Sequence, residues 1–213
     1  MFDKKRVDFL IKRINGRKSE DNTAATYKDS KDLKELIVLL SDYENEELTN
    51  LMEIHRGFEF VSLSYESMGR FSVGAIYRLE TLKIAKHIFV RFGLKTDTRI
   101  ENLNYVLRDR NYYIDDDCLD VKELVKDLID DSQIEKSFNY IYSRRRSLKH
   151  DPIEMSQEYL DVIDEVEEKI EKNRTIYGMG ACHEIWHLKF IYLMEKGIEW
   201  HSPVMLNPRV RFD

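Results

Sequence analysis

Proline and glycine are scarce: the chain has three Pro and eight Gly in 213 residues. A β-sandwich or barrel needs many tight turns, so this scarcity argues against one. Cysteine is scarcer still. Cys118 and Cys182 stand far apart with no C-x-x-C between them, which excludes a disulfide framework and fits a reducing compartment. Long apolar runs are missing as well. "LIVLL" at 36–40 and "FIYLM" at 190–194 are far too short to span a bilayer. The opening stretch "MFDKKRVDFLIKRIN" is charged and amphipathic, without the unbroken apolar core of a signal peptide. These gaps give the expectation of a cytoplasmic protein with no membrane contact.

What is present supports a core. Apolar residues make up 42% of the chain, with twelve Tyr and ten Phe, enough for one large domain spanning 1–213. Acids outnumber bases 40 to 34, and a net charge of −6 argues against general nucleic-acid binding. The one dense basic cluster, "SRRRSLKH" at 143–150, is followed by an acid-rich segment. It reads as a solvated helix end whose cations suit the negative pole of the helix dipole. "DDDC" at 115–118 lacks the glycine and spaced oxygens of a calcium loop and reads as a helix start.

Apolar residues recur at spacings of three and four almost throughout, and sustained alternation is absent. The fold class expected is therefore all-α: about nine helices in a bundle or a short array of hairpins. A first helix is expected over 2–15 with Val7, Leu10 and Ile11 on one stripe and Gly16 as its stop, then a flexible loop over 16–30. Leu33, Leu36, Ile37 and Leu40 form the buried face of the second helix, and the next runs from 45 to 68 with a break at Gly57. A helix over 72–92 closes at Gly93, Asp97 opens another, and Val121, Leu124, Val125 and Leu128 point inward from the one after. Asp151-Pro152 starts a helix that reaches Asn173, its exposed side supported by Glu165 with Lys169 and Glu168 with Lys172. The last helix, "ACHEIWHLKFIYLMEK", is apolar round most of its girth, which predicts burial at the centre of a bundle with Trp186 in the core. The tail from 197 to 213 carries Trp200, Val204, Met205, Leu206, Val210 and Phe212 and is expected to pack along an extended path.

One stretch, "VSLSYESMGRFSVGAIYRLETLKI" at 61–84, resembles a single tetratricopeptide-type helical hairpin. Small Ser62, Gly74 and Thr81, aromatic Tyr65 and Phe71, and the turn residue Gly69 fall where that repeat places comparable residues. Arg78 stands where the repeat has a large apolar residue. The resemblance implies stacked helical hairpins and a protein or peptide partner.

A second signal is "CHEIWH" at 182–187, in which His183, Glu184 and His187 spell H-E-x-x-H. Residues four apart share a helix face, so both imidazoles can reach one metal ion. The motif resembles that of the zincin metallopeptidases, and the resemblance implies zinc on His183 and His187 with Glu184 as general base. His201 is the leading candidate for a third ligand. Nine helical residues climb about 13 Å and five extended residues reach about 16 Å back. Glu199, His55, His87 and His150 follow it. Cys182, beside Gly178 and Gly180 at the helix start, reads as a small packing residue, with an activated thiol as the alternative. The functional expectation is a helical domain that works through protein or ligand contacts, needing no cofactor. Its rival is a small metal-binding protein or zinc-dependent hydrolase built on residues 183–187.

Overall fold

The computed structural model describes residues 2–21, 26–96, 100–109, 117–143 and 148–212. Every regular element among them is helical, so the fold is all-α. The chain divides into two compact units, Met1–Arg145 and Arg146–Asp213.

The first unit contains α1 (Lys4–Asp21), α2 (Ser30–Leu40), α3 (Leu48–Ser67), α4 (Phe71–Phe92), α5 (Ile100–Asp109), α6 (Asp117–Val125) and α7 (Asp131–Ser143). Gly16 does not stop α1, which runs on to Asp21. The extra turn is held from the next segment. Arg17 donates to Asp29 at 2.5 Å and to Asp32 at 2.6 Å, and Arg13 forks onto Asp32. Both carboxylates are buried, and each is paired with a guanidinium that keeps part of its surface in water. The expected loop over 16–30 thus shrinks at both ends, and its residues 22–25 lie outside the described ones. Val7, Leu10 and Ile14 form the buried stripe of α1, with Ile11 at its margin. Leu33, Leu36 and Leu40 are fully buried on α2, and Ile37 is half-buried.

Gly57 does not break α3. It leaves room for Leu40 of α2: a Cβ there would meet that side chain at 2.7 Å. Between α3 and α4 the chain reverses at Gly69, whose φ of +77° favours glycine. The two helices then run close together, because a Cβ at Gly74 would sit 3.1 Å from the Ser62 carbonyl oxygen. Tyr65 is buried and stacks on Tyr77 with ring centres 5.6 Å apart. Phe71, expected to fill the same gap, lies exposed at the start of α4. Tyr77 takes its place, stacking on Phe58 as well. At the far end Gly93, with φ +66°, caps α4 by donating to the Phe89 carbonyl at 2.8 Å.

A core of Leu82 and Ala85 from α4, Leu103, Val106 and Leu107 from α5, Val121 and Val125 from α6, and Ile134 from α7 closes this unit. Leu124 packs at its edge, and Leu128 joins it from the turn beyond α6. Asp97, Asp115, Asp116 and the three arginines at 144–146 lie outside the described residues.

The second unit is smaller. Asp151 accepts from the Ile153 amide at 3.1 Å and caps a single 3-10 turn, Pro152–Met155. Ser156 then caps α8 (Gln157–Asn173) by accepting from Tyr159 N. The segment read as one helix from Asp151 is therefore two elements. Next come α9 (Ala181–Glu195) and α10 (Pro203–Leu206). The tail, expected to be extended, makes that last short helix because Pro203 sits at its first position and Ser202 carbonyl accepts from Met205 and Leu206. Tyr159, Ile163, Val166 and Ile170 of α8 meet Leu193, Ile198 and Trp200 in one core.

Ion pairs tie the same helices on the surface: Lys169 to Glu195 at 2.6 Å and Lys196 to Glu165 at 2.7 Å. Glu165 and Lys169, expected to pair along α8, each take a partner on or just after α9 instead. Glu168 and Lys172 do pair, at 2.7 Å. No helix among the described residues is long and apolar enough to cross a membrane.

Candidate functional site on α9

The helix bearing the H-E-x-x-H residues is not central to a bundle. Within its unit the helix packed along it is α8. That helix covers one side of α9, so only Ala181 and Leu193 are buried and Trp186 is half-buried. Uniform apolarity cannot tell a helix which side to hide.

Glu184 is turned back toward the loop before the helix. Gly178 and Gly180, with φ of +82° and +83°, bend that loop so that its amides converge on the carboxylate. Glu184 accepts from Ile176 N at 2.6 Å, from Thr175 N at 3.0 Å and from the Thr175 hydroxyl at 2.7 Å. The Ile176 amide above all, then the Thr175 hydroxyl and amide and the charge of Arg174, hold this carboxyl below the usual glutamate range. An ionised carboxylate with several donors closes the entry to α9.

His183 and His187 both lie on the exposed side. His183 Nε2 is 3.2 Å from the Phe212 carbonyl oxygen, so it carries the proton and donates. The His183 and Phe212 rings meet Trp186 edge-on, at 5.6 and 5.1 Å. The tail is thereby anchored to the first half of α9.

His201 is engaged elsewhere. Its Nδ1 and backbone amide both donate to Asp151 Oδ2, at 2.9 and 2.7 Å, and its Nε2 is 3.9 Å from Glu199. His55 is buried on α3, and His87 on α4 meets Tyr43 edge-on, both in the first unit. His150 is half-buried in the second. Among the described residues no group of three His, Cys, Asp or Glu side chains is placed to hold a metal ion. Cys182 is a half-buried free thiol, and the side chain of Cys118 lies outside the described residues.

Lys189, a charge in an apolar stretch, also finds its reason. Its ammonium lies over the rings of Trp200 at 4.7 Å and Tyr159 at 5.2 Å, 3.6 Å from Glu154. Glu154 in turn accepts from Trp200 Nε1 at 2.8 Å. A cleft of about 260 Å³ lies among Glu165, Lys169, Tyr192, Glu195 and Lys196, with its four charges matched in pairs.

What stays open is the outer side of α9. His183, His187, Phe190 and Met194 follow one another at spacings of four, three and four and are all exposed, with Ile191 beside them. The loop before the helix adds Tyr177 and Met179, the latter 90% exposed. Helical period alone places this stripe in the core, because the helix is apolar on nearly every side. Set against known proteins, the chain matches no protein-family model, no curated protein and no solved structure.

Proposed function

We propose that the chain is a protein-interaction domain whose contact face is the outer side of α9. The supporting observation is the run of Phe190, Ile191 and Met194 left exposed on a helix whose opposite side is packed on α8. Apolar side chains scattered singly need no explanation, but neighbours on one helix face mark a contact surface. Among the described residues seventeen large hydrophobics are exposed, and ten of them belong to the second unit. The engagement of Glu184 with Thr175 and Ile176 favours this reading over metal-dependent hydrolysis, since a general base must be free to take a proton.

The test is capture of proteins from a lysate of the source cells on immobilised full-length chain, beside a Phe190→Glu/Met194→Glu variant. Both substitutions are at exposed positions, so the unfolding midpoint stays that of the parent. Captured proteins that vanish with the variant support the reading. An unchanged set of captured proteins overturns it.

A further inference from the structure

Resting on that reading, we infer that the α9 face takes a non-helical peptide segment of its partner bearing an aromatic side chain, and that the chain's own segment 208–212 is a latch lying in that segment's place. The platform is Trp186. It packs against the core that α8 makes with Leu193, Ile198 and Trp200, so its position does not depend on the tail. The Phe212 ring meets it edge-on at 5.1 Å, and His183 Nε2 donates to the Phe212 carbonyl at 3.2 Å. A ring contact and a main-chain hydrogen bond on one residue are the means by which a subsite holds a peptide: the bond fixes the backbone, and the ring selects the side chain. Phe212 therefore stands where the aromatic residue of a partner would sit.

The latch is thin. Asn207, just before it, is buried and fixed: its side chain accepts from Lys149 N at 2.7 Å and donates to the Lys149 and Pro203 carbonyls at 3.0 and 2.8 Å. Pro208, Arg209, Val210 and Arg211 are then all exposed, and Phe212 is half-buried. The side chain that this span seats on α9 is thus Phe212, and lifting it leaves the hydrogen bonds of Asn207 in place. A tether this short holds Phe212 at an effective concentration on the order of millimolar. That excludes a weak ligand but yields to a partner that gains further contacts along the helix.

Those further contacts are next to the latch. Trp186 follows His183 by three residues and precedes Phe190 by four, so it borders the exposed stripe of α9. A partner segment lying along Met194 and Phe190 reaches the Trp186 ring by taking the place of Phe212. The exchange replaces one aromatic contact by another and leaves α8 and α9 packed as they are. A buried aromatic anchor of this kind is a common centre of binding energy in an interface.

The experiment is fluorescence anisotropy of a labelled synthetic peptide with the sequence of residues 207–212, titrated with the full chain. Phe212→Ala, which lifts the latch, is expected to bind the peptide at least about tenfold more tightly than the parent, whose own segment competes. Adding His183→Ala to that variant removes the donor to the peptide carbonyl and weakens binding about three- to tenfold. The same peptide with alanine in place of its phenylalanine is expected not to bind. Far-ultraviolet circular dichroism equal to the parent's shows that the variants are folded.

A peptide that binds neither chain, or binds the parent and Phe212→Ala equally, overturns the inference. So does equal binding of the alanine peptide, which would mark attraction of its two arginines to an acidic protein. If the peptide fails while Phe190→Glu/Met194→Glu still loses its captured proteins, this inference falls and the reading beneath it stands. Captured proteins indifferent to that variant end the reading itself.

Discussion

Arg78 on α4 and Glu66 on α3 meet fork to fork, Nε to Oε1 at 2.8 Å and Nη2 to Oε2 at 2.9 Å. Both side chains are at least nine-tenths hidden from water. The remaining side of the guanidinium donates to Asn102 on α5 and covers the Tyr105 ring at 4.7 Å. Three helices are thus joined through one cation at a place where the tetratricopeptide-type pattern has an apolar residue.

Removing one member of such a pair leaves the other charged in a dry site. Arg78→Ala is expected to cost about 3–5 kcal/mol, a large part of the ~5–15 kcal/mol that holds a domain together. Replacing both members by apolar residues of similar size, Arg78→Met with Glu66→Leu, recovers most of that loss, because no charge is then stranded. Urea unfolding of the four proteins checks it, and the double variant must be far more stable than the sum of the two single losses.

Two glycines in helices predict opposite results from one substitution. A Cβ at Gly16, inside α1, meets nothing within 4 Å, so Gly16→Ala gains stability by about 0.5–1 kcal/mol through the unfolded chain's lost freedom. A Cβ at Gly74 meets the Glu66 side chain at 2.8 Å and the Ser62 carbonyl oxygen at 3.1 Å. A backbone atom cannot swing aside as a flexible side chain can, so Gly74→Ala loses about 1–3 kcal/mol. Urea midpoints that move in opposite directions, with slopes unchanged, are the expected outcome.

The same glycines show how far the sequence could be read. Three-and-four spacing disclosed an all-α chain and most of its helices, because burial on one side imprints that period. Gly93 ended α4 as expected, but Gly16 and Gly57 ended nothing. Glycine in a sequence does not say whether it serves a left-handed turn, as at Gly93, or a close neighbour, as Leu40 is to Gly57. The site was half legible in the same sense. Spacing put His183 and His187 on one face of α9, but which face is covered depends on where α8 lies. Nor could it show that Glu184 reaches Thr175 and Ile176, since the loop between them is shaped by backbone angles at Gly178 and Gly180. Arg78 was visible as a departure from the repeat pattern, and its partners were not.

Glu184 separates a structural carboxylate from a catalytic one. Its folded-state pKa lies below the ordinary glutamate value of about 4.3. The unfolded chain therefore binds this proton more readily than the folded one, and stability rises with pH across that interval. The contribution is complete above the ordinary value and is lost as pH falls through the lower, folded-state value. Glu184→Gln keeps one acceptor oxygen but lacks the charge, so at neutral pH it lowers the unfolding midpoint by loosening the entry to α9. As the pH is taken below the glutamate range the parent's carboxyl is protonated too, and the two midpoints converge. Thermal unfolding of both proteins from pH 7 down into that range tests this directly. A general base over a metal would behave otherwise: its replacement by glutamine would leave stability nearly untouched, and zinc would raise the parent's midpoint by binding the folded state. With the carboxylate held by Thr175 and Ile176, the expected result is a pH-dependent gap between parent and variant, and midpoints for both that stoichiometric zinc does not move.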